Sequence, residues 1–138
     1  MRGKIDISTF ISDLVLCGKY QNTYPLSIKS DNDHLLAVPL PAGTDGKLYR
    51  ERVKAAWFEK LAQFKPQFIF FSAGFDAHRK DFLADLNLSV EDYVWLTHEI
   101  AKIAKKYAEG RMVSVLEGGY NLDVLHECVP AHIHAMVE

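Results

Sequence analysis

Cysteine is scarce in this chain. Cys17 and Cys128 are the only two in 138 residues, and they form neither a CxxC pair nor a framework spacing. That excludes a disulfide-stapled secreted scaffold and leaves packed, reduced thiols as the default. No apolar run is long enough to span a bilayer. The first residues lack the apolar core and cleavage site of a signal peptide. Charge of one sign is not in excess either: 16 basic and 18 acidic side chains give a formal net charge of -2. A broad electrostatic footprint for nucleic acid is therefore not expected. Internal repeats are absent, and no histidine occurs in residues 1–13. These absences lead us to expect a cytoplasmic protein with no membrane or nucleic-acid partner.

What is present suffices for a core: 49% hydrophobic and 25% charged residues, at a length of 138 that suits one ordinary domain. The most informative stretch is 67–81. Gln67-Phe68-Ile69-Phe70-Phe71-Ser72 carries no formal charge and no polar alternation. Such a run predicts a strand covered on both faces, as in a parallel sheet between helices. It breaks at Ser72-Ala73-Gly74, and Asp76, His78, Arg79, Lys80 and Asp81 follow at once. Ligands of open α/β sheets gather outside the carboxyl ends of the strands. This ionisable cluster is the leading candidate for chemistry.

Leu14-Val15-Leu16-Cys17 reads as a short buried strand, and residues 18–34, polar and rich in Asn, Ser, Asp and Tyr, as a long loop. Residues 35–40 read as a strand whose Pro39 end lies at an edge or where pairing stops. After the turn at Pro41-Ala42-Gly43, Leu48, Val53, Trp57 and Leu61 recur at helical spacing and predict a helix over 47–64, with Arg50 toward water. Pro66 stops it. Ser89 followed by Asp92 resembles a capping box, and Tyr93, Leu96, Ile100 and Ala104 continue an apolar stripe toward the terminator Gly110. Met112-Val113-Ser114-Val115-Leu116 is a short buried strand, followed by Glu117-Gly118-Gly119-Tyr120-Asn121. A last helix covers 123–136, interrupted or kinked at Pro130. The alternation predicts an α/β fold, three-layer α-β-α with a mostly parallel sheet. It sends the Asp76 loop and the Tyr120 loop to the same carboxyl edge.

Several roles remain open for these residues. Asp76 can be a metal ligand, a general base, or the acceptor of backbone N–H bonds that closes a turn. Asp76 and His78 form an Asp-x-His pair whose chemistry suits zinc, although two ligands do not make a site. Gly118 and Gly119 let the backbone approach a ligand or take positive φ; a tight strand-to-helix turn asks for the same residues. Tyr120 can donate a phenolic hydrogen bond to a developing oxyanion, or simply sit at the rim. Glu117 ends a buried strand and should be paired or wet. His98, His126, His132 and His134 read as surface or packed side chains, and His34 has no identifiable partner. Arg79 and Lys80 can attract an anion, but Asp76 and Asp81 largely offset them.

Three blocks carry a resemblance: Val38-Pro39-Leu40-Pro41-Ala42-Gly43-Thr44, Ser72-Ala73-Gly74-Phe75-Asp76-Ala77-His78, and Leu116-Glu117-Gly118-Gly119-Tyr120-Asn121. From about Leu14 to its end, the chain resembles the carboxyl-terminal half of bacterial histone-deacetylase-like (class II-like) zinc amidohydrolases of the arginase/deacetylase superfamily. The resemblance implies a parallel sheet, usually of eight strands, between helices, and hydrolysis of acetyl-lysine or related acetylated amines. It implies zinc held by an Asp and a His from one loop and an Asp from a second. By motif, Asp76 matches that last ligand and Tyr120 the tyrosine that polarises the acetyl carbonyl. Gly118, Gly119 and Phe75 fall along the substrate channel. His78, Asp81 and Glu117 stand behind them as supporting groups; His78 is not a usual ligand.

The family's His-His pair and its Asp-x-His zinc motif lie upstream of the point matching Leu14. The expectation is therefore a single truncated deacetylase-like domain over 1–138, its fold incomplete, lacking the water-activating histidines and two of three zinc ligands. A catalytic zinc needs about three protein ligands and an open position, so no stably bound zinc and no activity are expected of the chain alone. A missing half would expose a sheet edge and apolar surface. That predicts a homo-oligomer or a separate amino-terminal deacetylase fragment as partner. The alternatives are an active deacetylase completed in trans, a non-catalytic interaction module, and a natural protein that is longer.

Overall fold

A computed structural model of the chain describes residue 38 and residues 40–138. The strand expected at 14–17 and the loop over 18–34 lie outside the described residues. So does most of the strand expected at 35–40, of which Val38 and Leu40 are described and buried.

The helix expected over 47–64 forms, with one internal change. α1 (Gly46–Val53) leads without a break into a π-helical turn (Lys54–Phe58) and then α2 (Glu59–Phe64). Asp45 caps its start, accepting from the Leu48 N–H at 2.9 Å. The wide turn has a reason in the sequence. The buried side chains are Tyr49, Val53, Trp57 and Leu61, each four residues after the last. In an α-helix four residues overshoot a full turn by about 40°. A wider turn absorbs that drift and keeps all four facing the core. Lys65, in the left-handed region at φ 53°, ends the helix just before Pro66.

β1 (Ile69–Ala73) pairs in parallel with β2 (Met112–Leu116), Ile69 opposite Met112 and Ala73 opposite Leu116. Parallel neighbours need a crossover, and α3 (Val90–Tyr107) is part of it. The Ser89 N–H donates to Asp92 Oδ2 at 2.8 Å, one half of the expected capping box. Asp92 Oδ1 also accepts from Arg50 Nε at 2.7 Å, so Arg50 is paired across the core edge instead of simply facing water. α4 (Leu122–Val137) begins one residue earlier than expected. It runs continuously through Pro130, held by buried Val124, Cys128, His132 and Ala135.

The architecture is α/β, and the core lies on one face of the strand pair. Ile69, Phe71 and Ala73 are buried there against α1, α3 and α4; full burial of a side chain such as Phe71 or Ile100 contributes about 1.5–3 kcal/mol. The opposite face holds Phe70, Val113 and Val115, 49%, 43% and 53% exposed. The expectation of burial on both faces is thus met on one; no second layer occurs among the described residues. Cys128 is buried and unbridged, and burial pushes its thiol up to about 11, as suits a packed thiol. No helix among the described residues is long and apolar enough to cross a membrane.

Candidate functional site

Parallel pairing sets the carboxyl ends of β1 and β2 side by side, and the loops that leave them stay joined. The Glu117 N–H donates to the Ala73 carbonyl at 3.0 Å, and the Phe75 N–H donates to the Gly118 carbonyl at 2.8 Å. Asp76 follows at once. Its Oδ1 is fully buried and has no hydrogen-bond partner among the described residues. Burial raises the Asp76 pKa above its ordinary value of 3.8, and the Asp81 charge adds to this against an opposing backbone hydrogen bond.

The two glycines answer different local demands. A Cβ on Gly118 would stand 2.5 Å from Asp76 Oδ1, so this position lets the second loop close on the carboxylate. Gly119 has φ +129°, where an L side chain is strained. Tyr120 comes next, 51% exposed, its ring 6.4 Å from that of the exposed Phe82. Its backbone N–H donates to Asp81 Oδ2 at 2.7 Å. Glu117 is exposed, the wet alternative of the two expected.

His78 is spent locally. It is buried, and its Nδ1 accepts from the Lys80 N–H at 3.2 Å, inside a turn held to residue 88. Burial lowers its pKa, and the charges of Arg79 and Lys80 add to that effect, so the ring is neutral at pH 7. Lys80 faces Glu127 at 3.3 Å. His98 and His134 lie against Glu138, at 3.1 and 2.8 Å.

His132 is the packed one of the histidines in α4. It is buried, its Nδ1 2.7 Å from Thr97 Oγ1 and its Nε2 2.8 Å from Ser114 Oγ, with the Phe71 and Phe75 rings 5.0 and 5.8 Å away. Burial pushes its pKa down to about 4. Two signals were available: a serine inside an apolar strand, and a histidine four residues from buried Cys128. Beside it, a cavity of about 30 Å³ is lined by Tyr93 among others. The Tyr93 hydroxyl has no hydrogen-bond partner among the described residues, and burial raises its pKa.

Asp76 suits one place in a cation's coordination shell: its Oδ1 is buried and has no hydrogen-bond partner among the described residues, and the Asp81 charge acts on it. A set is not completed, since no group of three or more His, Cys, Asp or Glu side chains among the described residues is placed to hold a metal ion.

Residues 17–136 match the histone deacetylase domain. Type-2 histone deacetylase 2 of Dictyostelium discoideum is 38% identical over 108 residues, covering 76% of this chain and 6% of that protein. A probable deacetylase of Archaeoglobus fulgidus is 37% identical over 86 residues, 62% of this chain and 24% of that one. Among solved structures, the histone deacetylase Clr3 superposes with a TM-score of 0.67 at 25% identity, over 75% of this chain and 17% of that one. The acetylpolyamine aminohydrolase of Burkholderia pseudomallei gives a TM-score of 0.64 at 25% identity, over 75% and 28%. The chain thus spans a minor part of each relative's length.

Proposed function

Because the chain belongs to the histone deacetylase domain family, its residues 17–136 matching that domain, we propose that it supplies one side of a deacetylase site acting on acetyl-lysine or a related acetylated amine. The bare, buried Oδ1 of Asp76 carries the reading. It lies against Gly118, two residues before Tyr120, at the carboxyl end of a parallel strand pair. An unpaired buried acceptor costs about 1–3 kcal/mol, a cost that a bound cation removes.

In this reading Asp76 contributes one ligand, and Tyr120 donates its hydroxyl hydrogen to the acetyl carbonyl oxygen as negative charge develops there. Zinc, when bound, supplies Lewis-acid polarisation and a more acidic water. The remaining ligands and the water-activating histidines come from outside the described residues, in a second polypeptide or in further sequence of the same protein. The chain alone neither holds zinc stably nor turns over substrate. A second copy, or a separate amino-terminal deacetylase fragment, would bury apolar surface on the face that Phe70, Val113 and Val115 leave open.

The test is hydrolysis of an acetyl-lysine reporter by the full chain, with and without a polypeptide carrying the His-His and Asp-x-His motifs. Turnover is expected only in the mixture, and is lost with Asp76→Ala or Tyr120→Phe. Turnover by the chain alone, undiminished by those substitutions, would overturn the reading.

A further inference from the structure

We infer that Asp81 is a positioning residue that fixes where Tyr120 stands, by clamping the backbone of the second loop to the first. The significance of that clamp for chemistry rests on the role proposed for Tyr120; the clamp itself does not.

Asp81 is buried, and among the described residues its carboxylate accepts from backbone N–H groups alone. Oδ2 accepts from the N–H groups of Tyr120 at 2.7 Å and Asn121 at 3.0 Å. Oδ1 accepts from the Leu83 N–H at 3.0 Å, a local turn that fixes the carboxylate's own orientation. Asn121 returns the contact: its Nδ2 donates to the Lys80 carbonyl at 2.8 Å, while its Oδ1 caps α4 through the Asp123 N–H at 3.0 Å. Three hydrogen bonds therefore join residues 80–81 to residues 120–121.

Their placement gives them a purpose beyond capping. Immediately before Tyr120 come Gly118 and Gly119, which have no side chain to anchor the loop, and Tyr120 itself is half exposed. Within the glycine segment the Gly118 carbonyl is held by the Phe75 N–H at 2.8 Å, two residues before the tyrosine, so the position of the Tyr120 Cα depends also on what grips the chain at and just after it. Asp81 does so, and a charged acceptor at the start of a helix binds such N–H groups strongly.

Amide hydrogen exchange resolved residue by residue in the full chain tests this, comparing the parent with Asp81→Asn and Asp81→Ala. Asp81→Asn keeps the shape of the side chain and loses the charge. In both variants the Tyr120 and Asn121 amides should exchange at least about tenfold faster, the loss of charged hydrogen bonds. Amides of β1 and β2 should change less than about twofold. The proton–proton cross-peak between the Tyr120 and Phe82 rings should weaken in parallel, a signature that a general loss of stability would not single out. Equal acceleration of β1, β2 and Tyr120 would make Asp81 a structural cap only and overturn the inference. So would unchanged exchange at Tyr120, or Tyr120 and Asn121 amides already unprotected in the parent. Because none of these readouts involves metal or turnover, they fail or succeed separately from the deacetylase reading.

Discussion

Two polar side chains near the end of β1 carry buried atoms, and they are treated oppositely. His132, on the core side, has both ring nitrogens within hydrogen-bond distance of hydroxyls and two phenylalanine rings packed edge-on to it. Asp76, at the rim, keeps one buried oxygen with no partner among the described residues and feels the Asp81 charge. A satisfied buried group holds a fold together; an unsatisfied one is a standing cost that a ligand can relieve. The contrast separates what the fold needs for itself from what it holds ready for something else.

The largest expected effect comes from the satisfied side. His132→Ala removes a packed ring and leaves Ser114 Oγ without its partner, while Thr97 retains the Tyr93 carbonyl at 2.7 Å. Urea unfolding should show a loss of about 3–4 kcal/mol. A loss below 1 kcal/mol would mean that the network is not structural.

The pH dependence of stability should carry opposite signs for the two groups. His132 has a folded pKa of about 4 against an ordinary 6.5, so the unfolded chain binds the proton more readily. Its contribution is complete above pH 6.5 and is lost as pH falls toward 4, amounting to about 2–3 kcal/mol. Asp76 is shifted upward from 3.8, so its cost is absent below that value and sets in as pH rises through the raised folded value. Unfolding followed from pH 3 to 8 should lose the first slope in a His132 variant and the second in Asp76→Asn. Identical profiles in all three proteins would erase the comparison.

A methyl group on Gly118 sharpens the contrast at the rim. Gly118→Ala forces the Asp76 carboxylate aside and should cost about 1–2 kcal/mol by denaturant unfolding. Asp76→Asn is the smallest change, a gain of up to about 1 kcal/mol at pH 7, because it removes a disfavoured buried charge. A marked loss there would mean that Asp76 is a structural residue after all.

The sequence made the long elements legible and their environments less so. α3 was readable because its cap at Ser89 and its stripe from Tyr93 to Ala104 are local facts. The exposure of Phe70 was not, because an unbroken apolar run carries no information about which face finds a neighbour. The π-helical turn was latent in the strict four-residue spacing of Tyr49, Val53, Trp57 and Leu61, which helical periodicity counts as ordinary. At the site, motif picked out Asp76, Gly118, Gly119 and Tyr120, yet Asp81's partners lie 39 and 40 residues away and are invisible before folding. Sequence alone leaves His132 among several surface or packed histidines, since only the fold brings Thr97 and Ser114 to its two nitrogens.

Zinc stoichiometry after equilibrium dialysis tests most directly whether Asp76 is held ready for a metal. The full chain, the Asp76→Asn variant, and each mixed with a polypeptide bearing the His-His and Asp-x-His motifs form the comparison. The account predicts substoichiometric zinc in either chain alone, one equivalent in the mixture with the parent, and loss of that equivalent with Asp76→Asn. One tightly held equivalent in the chain alone, indifferent to Asp76→Asn, would contradict it.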